Sequence, residues 1–399
     1  MSWEKRKLID CCISIADGDH QPPPKSEKGI PFVTIANIVN NQFNFENSMF
    51  VPESYYKNTD NKRKAQKGDI LYSVVGSFGI PVFIKENKPF VFQRHIAILR
   101  PNENIDPRFL YYTMLSRDFY MKADAAAIGA AQRTVSLTAL RNIEITVPPI
   151  ETQCRISDIL SAYDDLIENN RKQIKLLEEA AQRLYKEWFV DLHFPGHEHT
   201  KIVDGVPEGW EKSTVSNISS VLRRGISPKY NDQADLMVIN QKCIRQTIVT
   251  FEEARKQEKP FPKEMNLQDS DTVICSTGAG TLGRVGQIFG NYPRTTFDSH
   301  VTLVRARPDF GTQYLFHFLK SHQVYLMGLG KGSTNQLELS RGAIQELGIL
   351  VPTKEIREEF EALAQLIHDK IGAANAEIGH LQNARDRLLP KLMSGEVEV

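Results

Sequence analysis

The hydrophobic pattern of the chain occurs twice, with an offset of 204 residues between the copies. In each copy, apolar residues at alternate positions lead through a proline, Pro148 or Pro352, into a long amphipathic segment. The offset superimposes Leu140, Ile143, Ile145, Val147, Ile156, Ile159, Ile167, Ile174, Leu177 and Leu184 on Ile344, Leu347, Ile349, Val351, Phe360, Leu363, Ile371, Ile378, Leu381 and Leu388. The sequence therefore predicts a duplicated chain in which each domain is followed by a helix.

Apolar residues in both amphipathic segments alternate spacings of four and three, which is typical of a coiled-coil seam. The first seam consists of Ile156, Leu160, Tyr163, Ile167, Asn170, Ile174, Leu177, Ala181, Leu184 and Trp188. The second consists of Ile356, Phe360, Leu363, Ile367, Ile371, Ala374, Ile378, Leu381, Arg385, Leu388 and Leu392. Their equal lengths favour antiparallel pairing of the two helices, although each helix could instead lie on the core of its own domain. Asn170 either fixes the register from a buried position, opposite Ala374, or faces water.

Each domain is expected to contain mainly strands and a closing helix. Short β-rich runs, separated by Gly, Pro and charged turns, precede a helical pattern in both copies. The predicted fold class is α+β, with two similar mainly-β domains separated by two long antiparallel coiled-coil helices and related by an internal pseudo-two-fold repeat. We expect domains over residues 1–150 and 206–352, and helical regions over 151–205 and 353–399.

The zero net charge of the chain is the sum of basic domains and acidic helices. Residues 1–150 hold 19 Lys and Arg against 15 Asp and Glu, and residues 200–352 hold 18 against 15. Residues 151–199 hold 6 against 10, and residues 353–399 hold 6 against 9. This distribution of charge indicates that an anionic ligand would bind the domains and that other partners would bind the helices.

Composition indicates a folded, soluble chain with two or three domains, since 41% of its 399 residues are hydrophobic and 25% are charged. The N-terminal residues lack an apolar signal stretch, and no run reaches the roughly 20 apolar residues that span a bilayer. We therefore expect a cytoplasmic location and no membrane partner. The five cysteines form no CxxC pair, so they predict neither a disulfide framework nor a cysteine zinc site.

Several short motifs imitate enzyme sites without the context that those sites need. GAGTLG at 278–283 fits a dinucleotide motif, but the next run, RVGQIF, is predicted as a strand where such a site needs a helix. Asp69, Glu86 and Lys88 loosely match a nuclease set that the second copy does not repeat. His193, His197 and His199 could bind a metal but lie in a Pro/Gly linker, where solvent exposure is the alternative. We expect no catalytic residue and no metal site.

Four segments together resemble the specificity subunit of type I restriction–modification systems. They are TVPPIETQCRISDIL, LVPTKEIREEF, RLYKEWFVDLHFP and RLLPKLMSGEVEV, and the resemblance covers the whole chain. It implies that the two domains read the halves of a bipartite double-stranded DNA target. It further implies that the helices dock two modification (methyltransferase) subunits and, through them, restriction subunits that act as ATP-dependent translocases and nucleases. This chain itself would bind no cofactor, with S-adenosylmethionine, ATP and Mg held by the partner subunits.

Loops with Arg, Asn, Gln and Gly are the candidates for DNA contact, because these side chains bond base edges and glycine turns admit phosphates. The first domain offers Arg63, Lys64, Ser77, Arg94, His95, Gln132 and Arg133. The second offers Arg223, Arg224, Thr281, His300, Lys331, Asn335 and Gln336. The alternatives are a solvated charged face, hairpin glycines and, for the equivalent His95 and His300, satisfied core histidines.

Two other functions remain open from the residues alone. A bridging scaffold that binds only proteins would use the same two helices, and the basic excess of both domains argues against it. A standalone nuclease would need the Asp69 set to be assembled. The main expectation is a non-catalytic subunit that recognises DNA, whose helix length sets the spacer of the target.

Overall fold

The computed structural model of the chain describes residues 3–46, 48–130, 132–278, 280–332 and 337–399. The chain forms two compact units, the first made of residues 1–169 with 378–399 and the second of residues 170–377. The long helices Ile150–Tyr185 and Lys354–Ser394 each contribute residues to both units. Each unit thus combines one globular domain with a segment of each long helix.

The first unit is built on a four-stranded antiparallel sheet, with a three-stranded sheet and two short ladders. The order in the large sheet is Cys12–Asp17, Ile96–Pro101, Ile70–Ser73, Pro81–Phe83. Ile30–Val33 lies between Met49–Val51 and Val91–Phe92, Glu4–Lys7 pairs with Glu144–Val147, and Ile38–Val39 pairs with Gln42–Phe43. The short helices are Glu53–Asn58, Pro107–Leu115, Arg117–Ala125 and Leu137–Asn142.

The second unit has the same plan. Its large sheet has the order Ser219–Arg224, Val301–Ala306, Thr272–Cys275, Val285–Gln287. Leu236–Ile239 lies between Arg255–Gln257 and Thr295–Phe297, Glu211–Thr214 pairs with Gly348–Val351, and Ile202–Val203 pairs with Val206–Pro207. The short helices are Val215–Ile218, Thr312–Ser321, Gln323–Gly328 and Arg341–Gln345. The repeat expected from the hydrophobic pattern is confirmed in the four-stranded sheet, the three-stranded sheet and the ladder that closes each domain, whereas the short hairpins Ile38–Phe43 and Ile202–Pro207 have no counterpart among the described residues of the other unit.

The large sheet of each unit is covered on both faces, which explains why its central strand is a continuous apolar run. In the strand Ile96–Pro101, Ala97 and Leu99 belong to the core beneath the helices, whereas Ile96 and Ile98 belong to a second core on the other face. Val301–Ala306 divides its side chains in the same way between two cores of the second unit. Each sheet is therefore the middle layer of its domain.

A buried ion pair ties the edge of each large sheet to the loop that enters it. Arg100 Nε and Nη2 donate to the two carboxylate oxygens of Asp69 at 2.9 and 2.8 Å. Arg305 bonds Asp271 in the same bidentate way at 2.6 and 2.7 Å. Both carboxylates also accept a main-chain N–H, from Gln66 at 2.9 Å and from Gln268 at 2.8 Å. This fully bonded arrangement compensates the cost of burying the charges.

The long helices pair in antiparallel fashion inside each unit, as the seams predict. In the first unit, Ile156 and Leu160 near the start of one helix share a core with Leu389 and Leu392 near the end of the other. In the second unit, the later residues Tyr185 and Trp188 share a core with the early residues Phe360 and Ala364. The first helix continues past Tyr185 as a wide π-type turn over Lys186–Val190.

The seam of the second helix differs from the predicted spacing at one step. Leu363 has a 42% exposed side chain, so its assignment to the seam is wrong, and Ala364 is buried in its place. The cause is His368, which is buried against the second domain and stacks on Phe289 with ring centroids 4.2 Å apart. The helix therefore turns a face toward its own domain as well as toward the other helix. Both alternatives for the seams thus hold in part.

Asn170 is buried rather than facing water. Its Nδ2 donates to Glu377 Oε2 at 3.0 Å, so its hydrogen-bond partner is Glu377 and not a group at Ala374. A buried amide with a single carboxylate partner on the facing helix favours one register over its neighbours.

The predicted closing helix of the first domain is two helices. Ser116 ends the helix Pro107–Leu115 and caps the helix Arg117–Ala125, where its Oγ accepts from the Phe119 N–H at 3.2 Å. The continuous apolar pattern hid this break because both pieces face the same core. Within the described part of the chain, no helix is both long and apolar enough to span a membrane.

Candidate nucleic-acid interface

Main-chain hydrogen bonds bring three distant candidate segments of the first unit together. The Val74 N–H donates to the His95 carbonyl and the Gly76 N–H to the Arg133 carbonyl, both at 2.9 Å. The Arg94 N–H donates to the carbonyl of Asp19 at 3.0 Å. We call residues 76–79, 93–95 and 132–134 the first loop cluster.

The second unit builds the same arrangement from its own segments. The Ser276 N–H donates to the His300 carbonyl at 2.8 Å, as Val74 does to His95. Main-chain bonds between Lys331 and Glu338, at 3.0 and 2.9 Å, repeat those between Ile128 and Thr134. We call residues 280–283, 299–300, 331–332 and 337–338 the second loop cluster.

Glycine is required where the fold brings two backbones into contact at the entry to each cluster. A Cβ on Gly18 would lie 2.1 Å from the Phe92 carbonyl oxygen, and one on Gly225 would lie 2.2 Å from that of Phe297. The two glycines occupy equivalent ends of the edge strands Cys12–Asp17 and Ser219–Arg224. The frame of the loops is thus set by backbone packing and not by the loop side chains.

The side chains of the first loop cluster are largely available to a ligand. Ser77, Arg94 and Gln132 are exposed. The Arg133 guanidinium lies 3.1 Å from Asp124 Oδ1 and 6.0 Å from the Phe78 ring centroid. The half-buried His95 has its pKa lowered by burial, with Arg94 as the second cause. A neutral imidazole is therefore expected beside an exposed guanidinium.

Arg63 and Lys64 lie beside the first loop cluster and are tied to the protein. Arg63 is 3.6 Å from Asp17 Oδ1 and 3.8 Å from Asp19 Oδ1. Lys64 Nζ donates to the Lys57 carbonyl at 3.0 Å and lies 5.4 Å from the Tyr56 ring centroid. Arg63 connects to the cluster because Asp19 also accepts from the Arg94 N–H.

The charged side chains in and beside the second loop cluster are more engaged. Arg223 pairs with Glu264, and Arg224 pairs with Glu338 while donating to the Ser299 carbonyl at 2.6 Å. His300 is exposed and its Nδ1 lies 2.6 Å from Thr277 Oγ1, so it is not a core histidine. Thr281 Oγ1 donates to the Thr277 carbonyl at 3.0 Å, and Lys331 is exposed. Asn335 and Gln336 lie outside the described residues.

A groove beside His300 brings together polar and charged side chains that the sequence did not place near this site. It has a volume of about 310 Å³, and its lining combines Tyr230, Gln241, Lys242 and Arg255 with the carboxylates Glu252, Glu253 and Asp298. The Arg255 guanidinium lies 3.6 Å from the Tyr230 ring centroid, a cation–π distance. The charge run EARKQEK around Arg255 was the available signal, but only the pairing of its strand with Leu236–Ile239 places it near His300.

The imitated enzyme motifs are placed differently. Asp69 is 2% exposed and fully engaged by Arg100, and Asp271 repeats this role in the second unit, so the carboxylate is structural. Residues 280–283 of this motif lead into the strand Val285–Gln287 and not into a helix. His193 and His197 have ring centroids 5.2 Å apart, but the described residues contain no group of three potential metal ligands.

The fold and the two loop clusters define a duplicated α+β protein that presents one loop frame twice. A family model described as the type I restriction modification DNA specificity domain matches residues 2–179 and 207–379. Because this match covers most of the sequence, the chain belongs to that family of DNA specificity proteins.

Known relatives are similar along nearly their entire length. The type I restriction enzyme MjaIX specificity subunit of Methanocaldococcus jannaschii is 26% identical, over 100% of this chain and 94% of that protein. The HindI specificity subunit of Haemophilus influenzae is 23% identical, over 92% and 94%. The crystal structure of the type I restriction–modification S subunit from M. genitalium shares the fold, with a TM-score of 0.58 at 17% identity, over 98% of this chain and 96% of that one.

These similarities confirm the family that the two proline junctions indicated. They support the main expectation, a specificity subunit without catalysis of its own, over the protein-only scaffold and the nuclease. The nuclease gains no support from the site, since Asp69 is bound in an ion pair.

Proposed function

We propose that each loop cluster reads one half of a bipartite double-stranded DNA target. In this proposal residues 1–150 and 206–352 act as the two target-recognition domains, and regions 151–205 and 353–399 act as spacer and docking platform. Two modification subunits dock on the helices, and restriction subunits join through them. S-adenosylmethionine, ATP and Mg are used by these partners, in the cytoplasm.

The observation that carries this proposal is one backbone frame presenting two different sets of side chains. Val74 and Ser276 bond the carbonyls of His95 and His300 equivalently, yet the exposed positions nearby differ. A target with two unlike halves needs this combination, because the frame fixes the approach to the groove while the side chains select the bases. In a protein-only scaffold nothing would require the loop tips to differ.

The distribution of charge supports the same assignment. The domain segments carry excesses of four and three positive charges, and the helical segments carry excesses of four and three negative charges, by the counts given above. Phosphate contacts release counterions, so DNA binding should weaken steeply with salt. The acidic helices are the regions expected to meet protein partners.

The direct test uses the chain assembled with its modification subunits on a random DNA pool. We expect methylation confined to a two-part motif with a sequence-indifferent gap. Arg94→Ala should relax base preference in one half only, and Arg255→Ala in the other half only. Each change should cost about 1–3 kcal/mol of discrimination at one position. The control Arg117→Ala alters an exposed arginine outside both clusters and should leave the motif intact.

A motif that changes in both halves with either substitution would contradict the proposal, as would methylation with no gapped motif. Helix length gives an independent readout. An insertion of about two turns within residues 164–180 should lengthen the preferred gap and leave the half-sites unchanged. One turn of B-DNA is roughly 34–36 Å, and a helix of 36 residues is about 54 Å long, so gap and helix are of comparable scale.

A further inference from the structure

The second unit contains a cavity that the recognition of DNA does not use. It has a volume of about 220 Å³ and lies where the long helices meet the helix Thr312–Ser321. Ala181, Phe289 and Ile371 form apolar parts of the wall, and Glu178, His317 and Lys320 form polar parts. Its lining residues all belong to this unit.

The equivalent space in the first unit is filled by an arginine. Arg385 Nη1 donates to Asp164 Oδ1 at 2.5 Å, and Tyr112 Oη donates to Asp164 Oδ2 at 2.7 Å. The guanidinium is largely buried, with 17% of the side chain exposed. The first copy thus closes this junction with a planar cation held by a carboxylate.

The 204-residue repeat identifies what replaces these three groups. The helix Pro107–Leu115 and its counterpart Thr312–Ser321 are offset by 205 residues, as His95 and His300 are, so Tyr112 corresponds to His317. On the long helices the offset is 204, so Asp164 corresponds to His368 and Arg385 to Ala181. All three counterparts line the cavity of the second unit. The cavity therefore occupies the place of the Arg385 side chain, which Ala181 is too short to fill.

Polar groups without a full set of partners surround the empty space. His317 is buried, and its Nδ1 has no hydrogen-bond partner among the residues that the structure describes. Burial lowers the pKa of His317 to about 3, so its ring is neutral near pH 7 and has one nitrogen able to accept. Burial also raises the pKa of Glu178, and the nearby Lys320 charge and a hydrogen bond with Thr247 offset this effect only in part.

The two other basic side chains of the wall have hydrogen-bond partners of their own, although the charge of Lys320 also acts on Glu178. Lys320 Nζ donates to the Val285 carbonyl at 3.2 Å and to Gln323 Oε1 at 3.4 Å. His368 is held between Gln287 Oε1 at 3.1 Å and Asp269 Oδ2 at 3.3 Å. A second carboxylate, Glu179, adds to the negative charge of the wall.

We propose that this cavity binds a small planar cation of the guanidinium class, which donates to Glu178 and to the free His317 nitrogen. The repeat itself supports the choice, because the same space accepts a guanidinium in the first unit. The apolar wall around Ala181 and Phe316 suits the weakly hydrated faces of such an ion. Neither DNA nor a partner subunit is needed for this binding.

The test is thermal denaturation of the full chain with methylguanidinium chloride, with sodium chloride and tetramethylammonium chloride at matched ionic strength. We expect a saturable rise in Tm with methylguanidinium alone. Ala181→Arg and Ala181→Leu should abolish the rise by filling the cavity, with a cation or with a neutral side chain. The matched control Ala180→Arg places the same charge on an exposed neighbouring position and should retain it.

Glu178→Gln keeps the shape of the wall and removes the charge, so it should weaken binding on the order of tenfold. The proposal is overturned if no saturable rise occurs in the unaltered chain, or if Ala181→Leu retains it. An equal rise with tetramethylammonium would also overturn it, because that ion has no N–H groups to donate. If Ala181→Arg does not fold, the Leu and Gln variants decide the outcome.

Discussion

The two halves of the chain agree where the loops are supported and differ where the helices meet the domains. Asp69 with Arg100 and Asp271 with Arg305 form the same bidentate pair, and the loop frames share their main-chain bonds. At the helix junction, Arg385 fills one half and Ala181 leaves the other open. The comparison shows that duplication preserved the support of the loops more strictly than the packing beneath the helices.

The largest expected effect tests the shared part of the comparison. Asp69→Ala and Asp271→Ala each leave a guanidinium without its buried partner, so each should lower the free energy of unfolding by roughly 3–5 kcal/mol. Urea denaturation followed by circular dichroism measures both. The controls are Lys57→Ala and Glu358→Ala, which break exposed pairs and should cost less than about 1 kcal/mol. A large cost in one half only would show that the frames are not equivalent.

Arg385→Ala tests the part that differs. The substitution leaves the Asp164 carboxylate with Tyr112 as its remaining side-chain partner, in a space now open. We expect a loss of about 2–3 kcal/mol, reduced from the value for a fully buried pair because the arginine is partly exposed. Chemical denaturation measures the loss, and millimolar methylguanidinium should restore part of it. A loss no larger than that of the surface controls would contradict the role of this ion pair.

Acid should weaken the second half more than the first. The pKa of His317 is lowered to about 3 by burial, whereas the equivalent residue of the first half is Tyr112, whose pKa is raised by burial, so its phenol stays neutral at acid pH. Below about pH 6.5 the imidazole of His317 binds a proton in the unfolded chain but stays neutral in the folded chain. The free energy of unfolding therefore falls as the pH decreases toward 3. The expected loss between pH 7 and 5 is about 2 kcal/mol.

Neighbouring groups modify this pH dependence without reversing its sign above pH 5. Glu178, whose pKa is raised by burial, gains stability on protonation, and Lys320 and His368 also face His317. His317→Gln should flatten the stability between pH 7 and 5, measured by urea denaturation at each pH. Thr113→Val, at a buried position that does not titrate on the corresponding helix of the first half, is the control and should leave the slope unchanged. An unaltered slope in His317→Gln would contradict the assignment.

The smallest expected effect concerns a helix cap found in one half. Ser116 caps the helix Arg117–Ala125 with its side chain, whereas His322 before Gln323–Gly328 makes no side-chain cap bond. Ser116→Ala should therefore cost about 1 kcal/mol, and His322→Ala less. Thermal denaturation of both variants measures the difference, and equal losses would show that the cap does not matter.

Long-range periodicity made the repeat and the paired helices predictable, because an apolar spacing that persists over ten positions is a strong signal for a helical seam. The exceptions have local causes. Leu363 was assigned to the seam from the spacing of apolar residues alone. That spacing gives no sign of His368, a polar residue that is buried by partners on a distant strand. The break at Ser116 was hidden because both helices share one apolar face.

The candidate site was less predictable than the fold. The loops were found from residue type, but their assembly depends on bonds such as that from Gly76 to Arg133, which join segments more than fifty residues apart. Arg255 and Tyr230 were missed since strand pairing alone brings them beside His300. Residue types indicate which side chains could contact DNA, whereas the topology of the fold determines which of them lie on the same surface.

The supporting bonds of the loop clusters run between main-chain atoms, with exceptions such as the contact of Arg224 with Ser299. An amide N–H is present whatever side chain a residue carries, unless that residue is proline. Substitutions at the tips of the loops therefore leave the supporting main-chain hydrogen bonds intact, and they should lower the free energy of unfolding only slightly. Such a chain is well suited to diversification, because the side chains at the loop tips can change while the backbone that supports them stays constant.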